Sequence, residues 1–124
     1  MSEYGIVIVS HSEHIAQGIY NLIQEVAKDV SITYVGGDGE GGIGTSFETA
    51  SEAMESNAAE KLLAFYDLGS AKMNLEVASE FSGKEIEIFD VAVVEGTYTA
   101  AALLQAGVDI DAVKLQLAEM KLNK

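Results

Sequence analysis

The chain has 124 residues, 48% of them hydrophobic, and a formal charge of −13 from 20 acidic against 7 basic groups. That is enough apolar material for one folded domain over 1–124, while the acidity excludes nucleic acid and anionic membrane as partners, since both need basic surface. With no cysteine and only two histidines, it has no disulfide framework and little for a metal site. No apolar run approaches the roughly 20 residues that span a bilayer. The first apolar run is strand-length with no basic stretch before it, so we expect no signal peptide and a cytoplasmic protein. The charge either keeps the domain soluble or steers it to a protein partner with a basic face.

Gly5-Ile6-Val7-Ile8-Val9 is a β-branched run that ends in Ser10-His11-Ser12-Glu13. It reads as a buried parallel strand delivering a histidine to a helix start. Ser10 and Glu13 have capping-box spacing, which predicts Ser10 as N-cap and His11 as the first helical residue. Ile15, Ile19, Leu22, Ile23 and Val26 then draw an apolar stripe on a helix over 12–27. Val30–Val35 predicts strand two, and the glycine-rich stretch 36–44 a flexible loop. Thr45 and Glu48 repeat the capping-box spacing before a helix that buries Phe47, Ala50 and Met54. Leu62–Tyr66 is strand three, ending in Asp67-Leu68-Gly69-Ser70. A helix with Met73, Val77 and Phe81 follows and stops near Gly83. Ile86–Phe89 is strand four, leading to an alanine-rich helix that ends at Gly107. Asp109 caps a last helix with Ile110, Val113, Leu117 and Met120 on one side and Leu115 and Leu122 opposite. That second side is either a subunit contact or ordinary surface.

Strands alternating with helices predict an α/β domain, a mainly parallel sheet in the order 2-1-3-4 with helices on both faces. In such sheets the site lies at the carboxyl ends of the strands where the order reverses. That makes the His11 and Asp67–Ser70 loops neighbours. A helix start favours an anion, above all a phosphoryl group, on or near the ring. Imidazole is mostly neutral near pH 7 and then keeps the lone pair a nucleophile needs. His11 is therefore read as a phosphoryl carrier, the alternative being a capping histidine. Asp67 can accept from one ring nitrogen and aim the other outward, or cap the next helix. Ser70 can offer a hydroxyl and an N–H to a phosphoryl oxygen, or serve as a plain N-cap. His14 reads as surface. All seven basic residues are lysines, so no guanidinium clamp exists within the chain. Phosphoryl binding must rest on amides, hydroxyls and Lys72. Gly37, Gly39 and Gly42 fit G-x-G-x-x-G but follow the second strand beside Asp38 and Glu40, which argues against a dinucleotide; no cofactor is implied.

Ile8-Val9-Ser10-His11-Ser12 with Ala16-x-Gly18 resembles the phosphohistidine motif of the mannose-type IIA domains of the bacterial phosphotransferase system. Gly44-Thr45, Asp67-Leu68-Gly69-Ser70-Ala71-x-x-Asn74 and Val94-Glu95-Gly96 look closer to one branch, the phosphoryl-donor subunits of phosphotransferase-dependent dihydroxyacetone kinase. The resemblance covers nearly the whole chain. It implies a homodimer phosphorylated on His11 by the phosphocarrier HPr, with Asp67 orienting the ring and Ser10, Ser12, Gly69 and Ser70 around the phosphoryl group. It further implies transfer to ADP in the kinase L subunit, with HPr and enzyme I as separate proteins. The alternative it implies is a sugar-system IIA domain that passes the group to a IIB domain. Gly69-Ser70-Ala71, where sugar-transporting domains usually carry Gly-Ser-Pro, favours the kinase branch.

Overall fold

A computed structural model describes residues 2–124. The elements run β1 (Tyr4–Ser10), α1 (Glu13–Gln24), β2 (Ile32–Gly36), α2 (Phe47–Ser56), β3 (Lys61–Tyr66), α3 (Ala71–Ser82), β4 (Glu85–Phe89), α4 (Val93–Gln105) and α5 (Ile110–Glu119). The four strands form one sheet in the order β2-β1-β3-β4, every pair parallel. The α/β class and strand order are those expected from the alternation of apolar runs. Among the described residues no helix is long and apolar enough to cross a membrane.

Alternation along the strands divides the core into two layers. Ile6 and Ile8 of β1, with Leu63 and Phe65 of β3, face Ile19 and Ile23 of α1, Ala100 and Leu104 of α4, and Val113 and Leu117 of α5. Val7 and Val9, with Leu62, Ala64 and Tyr66, face Ala50, Ala53 and Met54 of α2 and Ala71, Leu75 and Ala78 of α3. Both central strands are thus apolar on both faces, as buried parallel strands must be. The chain leaves β1 for β2 on one side and returns to β3 on the other. That reversal sets the carboxyl ends of β1 and β3 side by side at the switch point where sheets of this kind bind ligands.

The helix faces differ in part from the expected stripes. On α1 the buried residues are Ala16, Ile19 and Ile23, while Ile15 and Leu22 are exposed. On α3 the expected stripe of Met73, Val77 and Phe81 points outward, and Ala71, Leu75 and Ala78 meet the sheet. Ala71 and Ala78 let α3 lie close to the sheet around the one large residue it buries, Leu75, and the Met73, Val77 and Phe81 face is left outside. Phe81 instead stacks on half-buried Phe47, ring centroids 6.0 Å apart. Leu115 and Leu122 are exposed.

Candidate functional site

β1 and β3 deliver the two halves of the site. Ser10 ends β1, and His11 and Ser12 form the connection to α1. The N-cap of α1 is Ser12, not Ser10: the Ser12 hydroxyl accepts from the Ile15 N–H at 3.4 Å. His11 therefore lies before the helix rather than in its first turn. The reason is Asp67, which draws the Ser10 hydroxyl away. Ser10 Oγ donates to Asp67 Oδ2 at 2.7 Å and accepts from the Ser12 N–H at 3.1 Å. Ser10 is fully buried, so it braces the acid rather than facing a ligand. The Ser12 hydroxyl is likewise committed to its helix. Of the four residues expected around a phosphoryl group, only Gly69 and Ser70 are exposed at the site.

Asp67, just past β3, gathers four donors. Oδ2 accepts from Ser10 Oγ and, at 3.0 Å, from the His11 backbone N–H. Oδ1 takes the His11 ring Nδ1 at 2.9 Å and the Leu68 N–H at 2.7 Å. Burial pushes the carboxyl up, but the His11, Ser10 and Leu68 donors outweigh it and hold it below its ordinary value of 3.8. A carboxylate only accepts, so Nδ1 must carry the proton in this contact. In the neutral ring Nε2 is then the lone-pair nitrogen. It lies 2.7 Å from Ser70 Oγ, whose hydroxyl donates to it.

Ser70 stands at the N-cap position of α3 yet makes no capping bond with its side chain. Its hydroxyl goes to the imidazole, which separates it from a plain helix cap. The backbone N–H groups of Gly69 and Ser70 donate to no protein acceptor among the described residues. The loop that holds this nitrogen through the Ser70 hydroxyl thus also carries two unpaired amides at a helix start, a combination suited to phosphate oxygens. His14 is exposed on α1.

The glycine segment after β2 is braced, in contrast to the free loop its composition suggests. Asp38 accepts from the N–H groups of Glu40 and Gly42 at 2.8 and 3.0 Å. Gly44 N–H donates to the His11 carbonyl at 2.9 Å, and Asn74 Nδ2 donates to Thr45 Oγ1 at 2.8 Å. The N-cap of α2 is Ser46, one residue past the expected Thr45. Gly36 is obligatory: a Cβ there would lie 2.3 Å from the Ser12 carbonyl oxygen. The end of β2 thus presses directly on the histidine loop.

Lys72, the cation expected near the site, is paired with Asp90 at 2.9 Å. A different lysine, Lys124, reaches the site's edge, its Nζ donating to the Tyr66 carbonyl at 2.7 Å. Nothing in the local sequence marked it, because the contact joins the end of β3 to a segment beyond α5.

The family described as the fructose IIA component of the phosphotransferase system, of the mannose-type IIA group, matches residues 5–114. The chain belongs to this family. It is 54% identical over 121 residues to the phosphotransferase subunit DhaM of the phosphotransferase-dependent dihydroxyacetone kinase of Lactococcus lactis, covering 98% of each chain. It is 50% identical over 120 residues to the phosphoryl donor subunit DhaM of dihydroxyacetone kinase 1 of Listeria innocua, covering 95% of this chain and 97% of that one. The crystal structure of the phosphotransferase component EIIA from Streptococcus agalactiae superposes with a TM-score of 0.63 at 18% identity, covering 97% and 96% of the two chains. That likeness supports the fold.

Proposed function

We propose that the chain is a cytoplasmic phosphoryl carrier that takes a phosphoryl group from phospho-HPr onto His11 Nε2 and passes it to ADP held by the L subunit of a dihydroxyacetone kinase. The observation that carries this reading is the imidazole held at both nitrogens, Nδ1 on Asp67 and Nε2 on Ser70. The relatives at 54% and 50% identity supply the kinase branch.

In the uptake step the Nε2 lone pair attacks phosphorus in line with the departing ring nitrogen of the donor. The N–P bond to HPr breaks as the new one forms, and the donor imidazole keeps the electron pair. His11 retains its Nδ1 proton, so positive charge develops on the ring, and the Asp67 carboxylate stabilises it. Ser70 releases Nε2 and turns its hydroxyl to a phosphoryl oxygen, joined by the amides of Gly69 and Ser70. The second step reverses these motions, with a terminal phosphate oxygen of ADP as nucleophile. Positioning and charge stabilisation dominate such transfers. A homodimer belongs to this reading, and the exposed Leu115 and Leu122 suit a subunit contact.

The test is intact-protein mass after incubation with phosphoenolpyruvate, enzyme I and HPr, for wild type and His11→Ala. The expected result is one added phosphate in wild type alone, lost on adding the ADP-loaded L subunit. Uptake without that loss would assign the chain to a sugar-transporting branch that delivers to a IIB domain. No uptake would leave a binding module.

A further inference from the structure

The segment after α5 does not trail away from the domain. The Leu122 N–H donates to the Asp90 carbonyl at 2.8 Å, and Lys121 forms an antiparallel bridge with Val91. This lays residues 121–124 across the carboxyl ends of β3 and β4, with the Lys124 backbone against Gly69. Lys124 is exposed as a residue, but its ammonium turns inward. It donates to the carbonyls of Tyr66 and Val91 at 2.7 and 2.6 Å and sits 4.1 Å from the centre of the Tyr66 ring.

We propose that Lys124 is a positioning residue for the histidine site, fixing the start of the Asp67–Ser70 loop through the Tyr66 carbonyl and supplying the positive charge that offsets a phosphoryl group on His11. The inference rests on the carrier reading. Its first half is geometric: the Tyr66 carbonyl belongs to the peptide that leads into Asp67, and Asp67 and Ser70 hold the two ring nitrogens. A shift of that peptide moves both contacts together.

The second half follows from charge. Phosphorylation brings about two negative charges to a ring already facing a carboxylate. Lys72 is neutralised by Asp90, which also accepts from the Tyr66 hydroxyl. Lys124 has only neutral carbonyls and a ring as direct partners, and no carboxylate lies within 4.0 Å of its nitrogen among the described residues. Burial lowers its pKa overall, and Asp67 and Asp90 oppose that shift, so the ammonium lies within electrostatic range of both carboxylates. In a chain whose basic residues are all lysines, this ammonium takes the electrostatic part that a guanidinium would otherwise play.

Lys124→Met keeps an apolar stem over Tyr66 and removes the ammonium; Lys124→Arg keeps charge and donors. Both would be phosphorylated by HPr and by phosphoramidate, a small donor that needs no docking, with thermal melting as the control for folding. We expect Lys124→Met to slow uptake from both donors about tenfold, with the KM for HPr unchanged, and Lys124→Arg to stay within about threefold of wild type. The amide resonances of residues 67–70 in the unphosphorylated protein should move in Lys124→Met. Lys124→Gln gives the same readout should the Met variant not fold. Wild-type rates and unmoved resonances in the folded variant would overturn the inference and leave the carrier reading standing. A wild type that takes up no phosphate from either donor would overturn both.

Discussion

The two ends of the sheet each carry a lysine ammonium on backbone carbonyls, and they differ in what surrounds it. At the amino end, Lys84 Nζ donates to the carbonyls of Met54, Asn57 and Ala59 at 2.8–3.0 Å. Beside it the buried Asn57 amide donates to the Ile6 and Ser31 carbonyls and to Thr33 Oγ1, and its Oδ1 accepts from the Ala59 N–H. Every partner is part of the protein, and the cluster ties β1, β2 and the end of α2 into one unit. At the carboxyl end, Lys124 anchors the loop that begins at Asp67, but the network finishes in an exposed serine hydroxyl on a ring nitrogen. A solute oxygen can replace that last bond. Saturated polar contacts hold the fold; the exchangeable one faces the chemistry.

The sharpest way to break this contrast is Asp67→Asn. The carboxylate accepts at both oxygens, so an amide must place its NH₂ against at least one donor. Turned toward Nδ1, it favours the other ring tautomer and puts the proton on Nε2. Phosphoryl uptake should fall about a hundredfold with the fold intact, read by the mass assay. The same variant reports on pH. The folded carboxyl lies below its ordinary 3.8, so its stabilisation is complete above that value and is lost as pH falls through the folded value. The urea midpoint of the variant should therefore decline less steeply than that of wild type in acid.

At the opposite end, Asn57→Ala should act on stability alone. It strips partners from buried acceptors and should destabilise the domain by about 2–3 kcal/mol, measured by urea unfolding, with wild-type uptake in the folded protein. Slow uptake in that variant would mean that the two ends are coupled. Next in size, Ser70→Ala should slow uptake about tenfold, near 1.4 kcal/mol of barrier, with little change in melting temperature because the hydroxyl caps nothing. The smallest effect has the opposite sign. Thr97 on α4 is fully buried, and its hydroxyl has no hydrogen-bond partner among the described residues. Thr97→Val should stabilise the domain by about 1 kcal/mol, seen as a higher melting temperature at unchanged activity.

Much of this architecture is legible in the sequence because it rests on local pattern. The β-branched run of β1 and the leucine and aromatic run of β3 alternate with helical segments, which sets a parallel α/β sheet; the order 2-1-3-4 common to such sheets then makes His11 and Asp67 neighbours. What escapes the sequence depends on contacts across the fold. Ser10 has ideal capping-box spacing with Glu13, yet its hydroxyl is claimed by Asp67, 57 residues away. The α3 stripe fails for a related reason, since the face packed on the sheet is Ala71, Leu75 and Ala78, and Met73 and Phe81 are left outside. Lys124 belongs to the same class: its partner carbonyl lies 58 residues back and is backbone, which no side-chain motif records. The glycine segment looked free because glycine is permissive. Asp38 and the His11 carbonyl brace it through N–H groups that composition does not reveal.

The Ser70–Nε2 contact also bears on timing. In the carrier reading, the hydroxyl that covers the empty nitrogen is the one that turns aside when phosphorus arrives. Discharge of the group lets it swing back. Rotation of an exposed side chain takes picoseconds to nanoseconds, far less than the microseconds to milliseconds of a domain closure. The carrier would be ready for its next donor almost as soon as the last acceptor departs, with no slow rearrangement of its own in the cycle.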